Sequence, residues 1–511
     1  MLPLVTDYYR GFFNQEGIDN ITTWIGDARP LNRSFTTEEI ETAAKRLNNN
    51  RATGPDGIAG EMLKYGGPHL HAEIANSLNK VFERHEKIKS TQEGYLAPQN
   101  KPSKPKKAEH TRPLIFLNMI RKVLSTCILY RLKEKIKKYL SLSQHAYTEN
   151  RSTTEMVWAA QWIKATTDKY MERVYVMGID LSKAFDCVNR SMLVTIFREE
   201  GIANEDELRL LHYVLSETEL KVKIGQEKGE SFFTTIGTPQ GDALSPILFL
   251  VYLEKIMREF RNNFQYKDME MEITYADDVN FILQDDNIDE CKKEALDQEC
   301  ECSKCRLKII EATLPNILAT RNMQMNNGKT KYNLLAKEEG KTTDLQILGN
   351  FIQRDAELSN RKKRAQTAFN SMIKVWLRGN KISLETKVKL YNSIVLPHLL
   401  YNSAAATYTS VQLEKMNSMH RRHLRRLIGI FYPEHISNKD TYDRTNTRPI
   451  SIEITKMRWK MLGHILRQDE KTPANRSMKE FFETRRRGST TGLRKTNRGG
   501  DNNYKPTKNY Q

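Results

Sequence analysis

The chain has 511 residues, 39% of them hydrophobic, which is enough apolar material for about three domains of roughly 150 residues each. Lysine and arginine outnumber aspartate and glutamate by 81 to 63, and the resulting charge of +18 disfavours acidic small molecules as partners and favours a polyanion, nucleic acid first, with a merely basic soluble protein as the plainer alternative. Residues 1 to 15 hold no apolar run of signal-peptide length, and no stretch reaches the roughly 18 apolar residues of a membrane span, so a soluble, intracellular chain without membrane contact is expected.

Residues 1 to 50 have helical spacing and close on Asn48-Asn49-Asn50-Arg51. Gly54-Pro55-Asp56-Gly57 supplies a turn, with proline presetting φ and glycine accepting a positive one, and a helical stretch follows. Pro98 to Pro113 carries Lys101, Lys104, Lys106 and Lys107 among four prolines and reads as an exposed basic loop. Helical spacing returns from Leu114 to Leu140, and Val174 to Leu283 mixes strand-like and helix-like segments, the mark of an α+β core.

Within that core the apolar run Val174 to Ile179 ends in Asp180, where a strand hands its last side chain to solvent. Ninety-seven positions on (277 − 180), Tyr275-Ala276-Asp277-Asp278 lies between two apolar alternations and reads as a hairpin tip with adjacent carboxylates. Acids on neighbouring strand ends repel one another unless divalent cations neutralise them, and phosphoryl transfer uses such a cluster. The plainer reading of the tetrad is a solvated acidic turn. Six cysteines are too few for a disulfide framework; Cys291, Cys300, Cys302 and Cys305 cluster without paired zinc-ligand spacing and read as reduced thiols on a helix.

Beyond Arg361, Leu384 to Leu400 and Leu413 to Ile430 have helical apolar spacing, which predicts a helical C-terminal region. His420-Arg421-Arg422-His423-Leu424-Arg425-Arg426 sets four guanidinium groups beside an apolar stripe, as either a nucleic-acid-facing helix or a solvated charged face. From Arg485 to Gln511 there are eight Lys or Arg and hardly any apolar residue, so a disordered basic tail is expected.

The ordered set Gly54-Pro55-Asp56-Gly57, Arg112-Pro113-Leu114, Gln144 with Arg151-Ser152-Thr153, Asp180-Leu181-Ser182-Lys183-Ala184-Phe185-Asp186, Gly237-Thr238-Pro239-Gln240-Gly241, Tyr275 to Asp278, Asn326 to Lys331 and Leu348-Gly349 resembles the reverse transcriptases of non-LTR (LINE-type) retrotransposons over about residues 45 to 470. The resemblance implies a right-hand polymerase: an N-terminal helical extension over 1–44, fingers over 45–165, a palm with the catalytic motifs and an antiparallel sheet over 166–355, a helical thumb and C-terminal region over 356–480, and a disordered tail over 481–511. It implies RNA-directed DNA synthesis on a DNA primer from deoxynucleoside triphosphates. Asp180 and Asp277, assisted by Asp278, would hold two Mg²⁺ ions, which Mn²⁺ could replace.

By the same resemblance, Lys101 and Arg112 would clamp the triphosphate, Phe185 would exclude a 2′ hydroxyl, and Gln240 would contact the nucleotide. Lys329 would meet the leaving pyrophosphate, and Gln144, Tyr147, Arg151 and Gly241 would line the template path. The plainer readings are core packing for Phe185, a surface lysine for Lys329, a polar loop for residues 144 to 151, and a strand-to-helix loop capped by Asp242 for 237 to 242. Departures include Asn322 where relatives tend to have glycine, and Asn402, Ala404 and Ala406 after Tyr401. Relatives often carry an endonuclease N-terminal to the polymerase, so a fragment of a longer element product, nuclear and cytoplasmic, is expected. A catalytically decayed RNA-binding protein derived from such an element is the alternative, and an intron maturase a third reading.

Overall fold

The computed structural model describes residues 2–488 apart from 15–27, 102–104, 106, 171–172, 217, 266–270, 286–301, 336–344 and 374–381. The fold is α+β. Its strands are β1 (Glu93–Asn100), β2 (Thr111–Leu117), β3 (Arg173–Ile179), β4 (Thr218–Ile224), β5 (Glu227–Thr234), β6 (Met271–Tyr275), β7 (Asp278–Asp285), β8 (Lys331–Leu335), β9 (Gln346–Ile347) and β10 (Asn350–Phe351). They make one sheet in the order β2-β1-β4-β5, a second in the order β6-β7-β3-β8, and a two-stranded β9-β10 ribbon.

The segment read as a proline-rich loop is strand at its two ends, Pro98 to Asn100 in β1 and Thr111 to Pro113 in β2, and the described residues between them are loop with one 3₁₀ turn over Ala108–His110. β1 and β2 are antiparallel, with Pro98 opposite Pro113. The Ile115 amide, two residues past Pro113, donates outward to the Gln240 carbonyl at 2.9 Å, so the side of β2 facing away from β1 is the side where Pro113 lacks its N–H. Pro98 likewise lies past the parallel β1–β4 pairing, which ends at Leu96. Neither proline therefore removes a donor from the ladder. Residues 114 to 117, expected to be helical, complete β2, and the helix begins at Met119 and runs to Tyr139. The helix Leu2–Phe13 covers one face of this sheet, burying Tyr9 and Phe13 with Leu96, Ile115, Leu117, Leu220, Val222 and Phe232.

β3 is central in the second sheet and buried on both faces. Val174 and Val176 pack with Met271, Ile273, Ile282 and the helix Thr153–Tyr170, while Met177 and Ile179 join the main core with Phe281 and Leu283. The helix Ser245–Asn263 lies in that core and buries Leu248 to Leu253, Ile256, Met257 and Phe260. Because it is apolar on almost every side, it must be enclosed. Burying one such side chain stabilises by about 1.5–3 kcal/mol relative to exposure, so this helix anchors the sheet that bears the acids.

The C-terminal region is helical as predicted, with Arg354–Met372, Leu384–Ile394, Leu396–Leu400, Ser410–Ile428, Asn438–Thr445, Ile450–Ile465 and Pro473–Gly488. Its core includes Phe369, Tyr391, Met416, Leu424 and Leu427. His420 and His423 are buried there: the His423 ring stacks on Phe369 at 4.0 Å, and His420 Nδ1 lies 2.9 Å from the Tyr391 hydroxyl. Burial lowers their pKa values to about 4 and about 3, so they are neutral core residues. The four arginines are also less free than the sequence implies. Arg421 pairs with Glu414 at 2.5 Å, Arg425 donates to Asn438 at 2.7 Å and Arg426 lies over the Phe369 ring, leaving Arg422 on a groove with Lys362, Lys363 and Lys415.

The last two helices return to the helix Thr153–Tyr170. Trp162 Nε1 donates to Glu480 at 2.9 Å, and the fully buried Glu155 accepts from His464 Nε2 at 2.8 Å and Gln468 Nε2 at 2.7 Å. Residues 481 to 488, expected to belong to the disordered tail, complete the final helix; 489–511 lie outside the described residues. Cys302 caps the helix Ser303–Thr320 and Cys305 is buried within it, whereas Cys291 and Cys300 lie outside the described residues. No described helix is long and apolar enough to cross a membrane.

Candidate active site

The antiparallel register pairs Ile179 with Val279, so Asp180, the next residue of one chain segment, comes level with Asp278, the preceding residue of the other. β6 and β7 close through the two-residue loop Ala276-Asp277, with Tyr275 opposite Asp278. Ala276 takes a positive φ of +55°, an unfavourable conformation for a residue with a Cβ. It is held there by Gln144, whose Oε1 accepts from the Ala276 amide at 3.0 Å and the Ala146 amide at 2.9 Å. Gln144 is buried, and the His145 amide and Thr274 carbonyl add a bond of 2.9 Å across the same contact. The residue read as a template contact thus pins the carboxylate turn.

The electrostatics of the three acids record their convergence. Asp277 has its pKa raised by burial, then by the charge of Asp180, while Arg112 and Lys329 oppose the shift. Asp278 is pushed up to about 6 by burial, then by Asp277 and Asp180. Such a cluster resists holding all its charges at once. Asp180 is also bound from the segment 324 to 330: the Asn326 amide donates to its carbonyl at 2.8 Å, Asn326 Nδ2 lies 3.3 Å from Oδ2, and Lys329 Nζ lies 2.8 Å from Oδ2. Lys329 therefore sits at the acids themselves. A cavity of about 430 Å³ opens beside them, lined by Asp180, Asp278, Asn280, Lys329, Lys331 and the start of the β9-β10 ribbon.

No three His, Cys, Asp or Glu side chains among the described residues are gathered into a metal cage. Mg²⁺ does not require one: it is commonly bound through one or two carboxylates, with water and substrate phosphate completing the shell. Asp180 and Asp277, with Asp278 adjacent, are hard oxygen donors of that kind on an exposed sheet end, and they fit the ion.

Around the acids lie the other predicted residues. Phe185 is half-buried against Phe249, with ring centroids 4.5 Å apart. Gln240 Nε2 donates to Asp186 Oδ1 at 2.8 Å, so its amide is engaged by the loop that follows Asp180. Asp186 is buried, and its pKa is raised to about 7 by desolvation against the Gln240 bond and the charges of Lys183 and Lys101. Gly241 has φ +126°, and a Cβ there would meet the Ile115 carbonyl at 2.5 Å; at Gly237, with φ +77°, a Cβ would meet the Asp186 carbonyl at 2.8 Å. Asp242 does not occupy the N-cap position of the next helix, which is Leu244, but its Oδ1 accepts from the Leu244 amide at 3.3 Å. It is buried, accepts from Ser125 Oγ at 2.8 Å and lies 3.5 Å from Arg121 Nε.

Arg112 is exposed on β2, opposite Gln99, and Lys101 follows β1 directly, its amide bonded to the His110 carbonyl at 3.0 Å. Lys104 and Lys106 lie outside the described residues. Arg151 is drawn away from the acids, with Nη1 3.4 Å from Gln468 and 4.0 Å from Glu155. Tyr147 is 55% exposed and its hydroxyl responds to the charge of Asp277, which keeps it at the site. Asn322 and Asn402 both adopt positive φ. Asn402 is buried and accepts from Thr153 and Thr154 at 2.8 Å each, so this departure is packed in place.

Residues 103–352 match the family described as reverse transcriptase (RNA-dependent DNA polymerase), and this stretch is a reverse-transcriptase domain. The chain is 22% identical over 410 residues to the RNA-directed DNA polymerase from mobile element jockey of Drosophila funebris, covering 77% of this chain and 44% of that protein. It is 24% identical over 273 residues to a Drosophila melanogaster protein described as the RNA-directed DNA polymerase from transposon BS, covering 52% and 29%. A Saccharomyces cerevisiae COX1/OXI3 intron 2 protein is 25% identical over a shorter 171 residues, covering 33% and 18%. The reverse-transcriptase domain over residues 103–352 is thus similar to those of non-LTR mobile elements. The chain spans less than half the length of these relatives.

Proposed function

We propose that this chain is an RNA-directed DNA polymerase that extends a DNA 3′ hydroxyl along an RNA template. In this reading β2-β1-β4-β5 and its helices act as fingers, β6-β7-β3-β8 as palm, and the helices after residue 353 as thumb and C-terminal region. The observation that carries it is the meeting of Asp180, Asp277 and Asp278 at one sheet end, where burial and then the neighbouring carboxylates make each of the latter two harder to ionise.

Two bound Mg²⁺ ions would lower the pKa of the primer hydroxyl and neutralise the triphosphate. Asp180 and Asp277 hold the donor oxygens in place, and Gln144 keeps the turn bearing Asp277 from relaxing. Arg112 and Lys101, from the facing strand pair, supply positive charge to the phosphates, with the guanidinium fork suited to two phosphate oxygens at once. Lys329 supplies countercharge next to Asp180, where negative charge gathers as pyrophosphate departs. Phe185, buttressed by Phe249, forms a stiff wall beside the sugar. The basic surface carries template and primer through phosphate contacts.

The test is extension of a DNA primer on an RNA template with deoxynucleotides and Mg²⁺, by the wild type and Asp277→Ala. The wild type should extend, and the variant should lose incorporation by a factor of 10³ or more while binding RNA with unchanged affinity. RNA binding by the wild type without extension would support the decayed RNA-binding protein instead, and equal synthesis by the variant would end the assignment of Asp277.

A further inference from the structure

The helix Leu2–Phe13 lies outside the matched family segment, yet it reaches the loop between Asp180 and Phe185. Tyr8 and Phe12 stack on one face of it, with ring centroids 5.9 Å apart and planes 16° from parallel. Over them lies the ammonium of Lys183, 4.1 Å from the Phe12 ring centroid, 5.8 Å from that of Tyr8 and 3.4 Å from the Tyr8 hydroxyl. Next along the helix, the Tyr9 hydroxyl lies 2.5 Å from Thr111 Oγ1, the residue before Arg112. One helix therefore touches two of the segments that bring cations to the acids.

Lys183 is exposed, has a positive φ of +51°, and forms no ion pair among the described residues. An aromatic face attracts an ammonium through its quadrupole without neutralising it, so the charge is held in position and left unspent. A carboxylate in that place would have to be displaced before a phosphate could bind. The electrostatics agree on the neighbourhood, since Asp186 responds to both Lys183 and Lys101.

We infer that Lys183, seated on Phe12 and Tyr8, contacts the phosphate chain of the incoming nucleoside triphosphate, and that the N-terminal helix is thereby a wall of the nucleotide pocket. Lys183 is the binding residue; Phe12 and Tyr8 are positioning residues. The inference rests on the polymerase reading, from which its test is kept separate.

The measurement is equilibrium binding of a labelled deoxynucleoside triphosphate, with Mg²⁺, to the full chain on a dideoxy-terminated primer and RNA template, so that no chemistry intervenes. Lys183→Gln should weaken nucleotide binding about tenfold and leave primer–template affinity unchanged, while Lys183→Arg retains most of it. Phe12→Leu keeps apolar cover but removes the ring face, and should weaken binding roughly two- to fivefold, with Phe12→Tyr close to wild type. In single-nucleotide extension the loss should appear in KM for the nucleotide and not in kcat. Wild-type nucleotide affinity in Lys183→Gln would overturn the inference, as would Phe12→Leu lowering the melting temperature with no effect on nucleotide binding. Lys183-dependent binding without extension would sink the polymerase reading alone, and extension with an unchanged KM in Lys183→Gln would sink this inference alone.

Discussion

Asp186 and Phe185 are adjacent in sequence, and their surroundings assign them different work. Asp186 is enclosed and its pKa is raised to about 7, because desolvation outweighs one amide donor and the charges of Lys183 and Lys101. For an acid whose folded pKa lies above its unfolded value near 4, the neutral form stabilises the fold. That contribution is complete below about pH 4 and is lost as the pH climbs through 7. Asp186→Asn keeps the oxygen that accepts from Gln240 and removes the titration, so the difference in stability between wild type and variant should grow in the variant's favour from pH 4 to pH 7, measured by denaturant midpoints. Parallel midpoints across that window would mean that Asp186 stays charged. Phe185, against Phe249, is partly core, as its plainer reading held, but the ring is only half-buried. Phe185→Ala should raise ribonucleotide incorporation relative to deoxynucleotide by at least tenfold in competition extension assays. Unchanged discrimination would leave the ring a packing residue only.

At the scale of elements, what was legible were the short stretches whose side chains alternate: Val174 to Ile179 and the two arms around Ala276-Asp277 are strands as read. What was hidden was pairing across sequence. Pro98 to Pro113 carries a loop composition, and its two ends are nonetheless strand because neither proline removes a donor from the ladder, a fact that depends on β4 and on Gln240, both more than 100 residues away. The role of Gln144 was illegible for the same reason. A glutamine in a polar loop carries no signal that its oxygen will cap a turn 132 positions on. Gln144→Ala releases Ala276 from its imposed conformation, where strain of about 1–3 kcal/mol is stored. The expected result is a fall in kcat of about 10- to 100-fold with a melting temperature within a few degrees of wild type. A variant with normal kcat would show that the β6–β7 register alone sets the turn.

For the molecule as a whole, Glu155 is the point where distant parts meet. Arg151 from the preceding loop, and His464 and Gln468 from the end of a helix and the turn after it more than 300 residues later, all direct polar atoms at one carboxylate that is fully buried. Arg151 was read as a template residue from the family resemblance, its plainer reading being a polar loop. The return of the C-terminal helices, invisible to local pattern, is what encloses it. Glu155→Ala leaves several desolvated donors without an acceptor and should cost about 3–5 kcal/mol, read from denaturant midpoints. A smaller loss, under about 1 kcal/mol, would mean that the helices dock without this acid.

The segment from Gln144 to Arg151 consequently has two masters. Its first residue fastens the tip that presents Asp277, and its last is held by Glu155 of the following helix and by Gln468 more than 300 positions on. One short loop thus ties the carboxylate turn to the helical region after residue 353, so loosening either contact should be felt at the other.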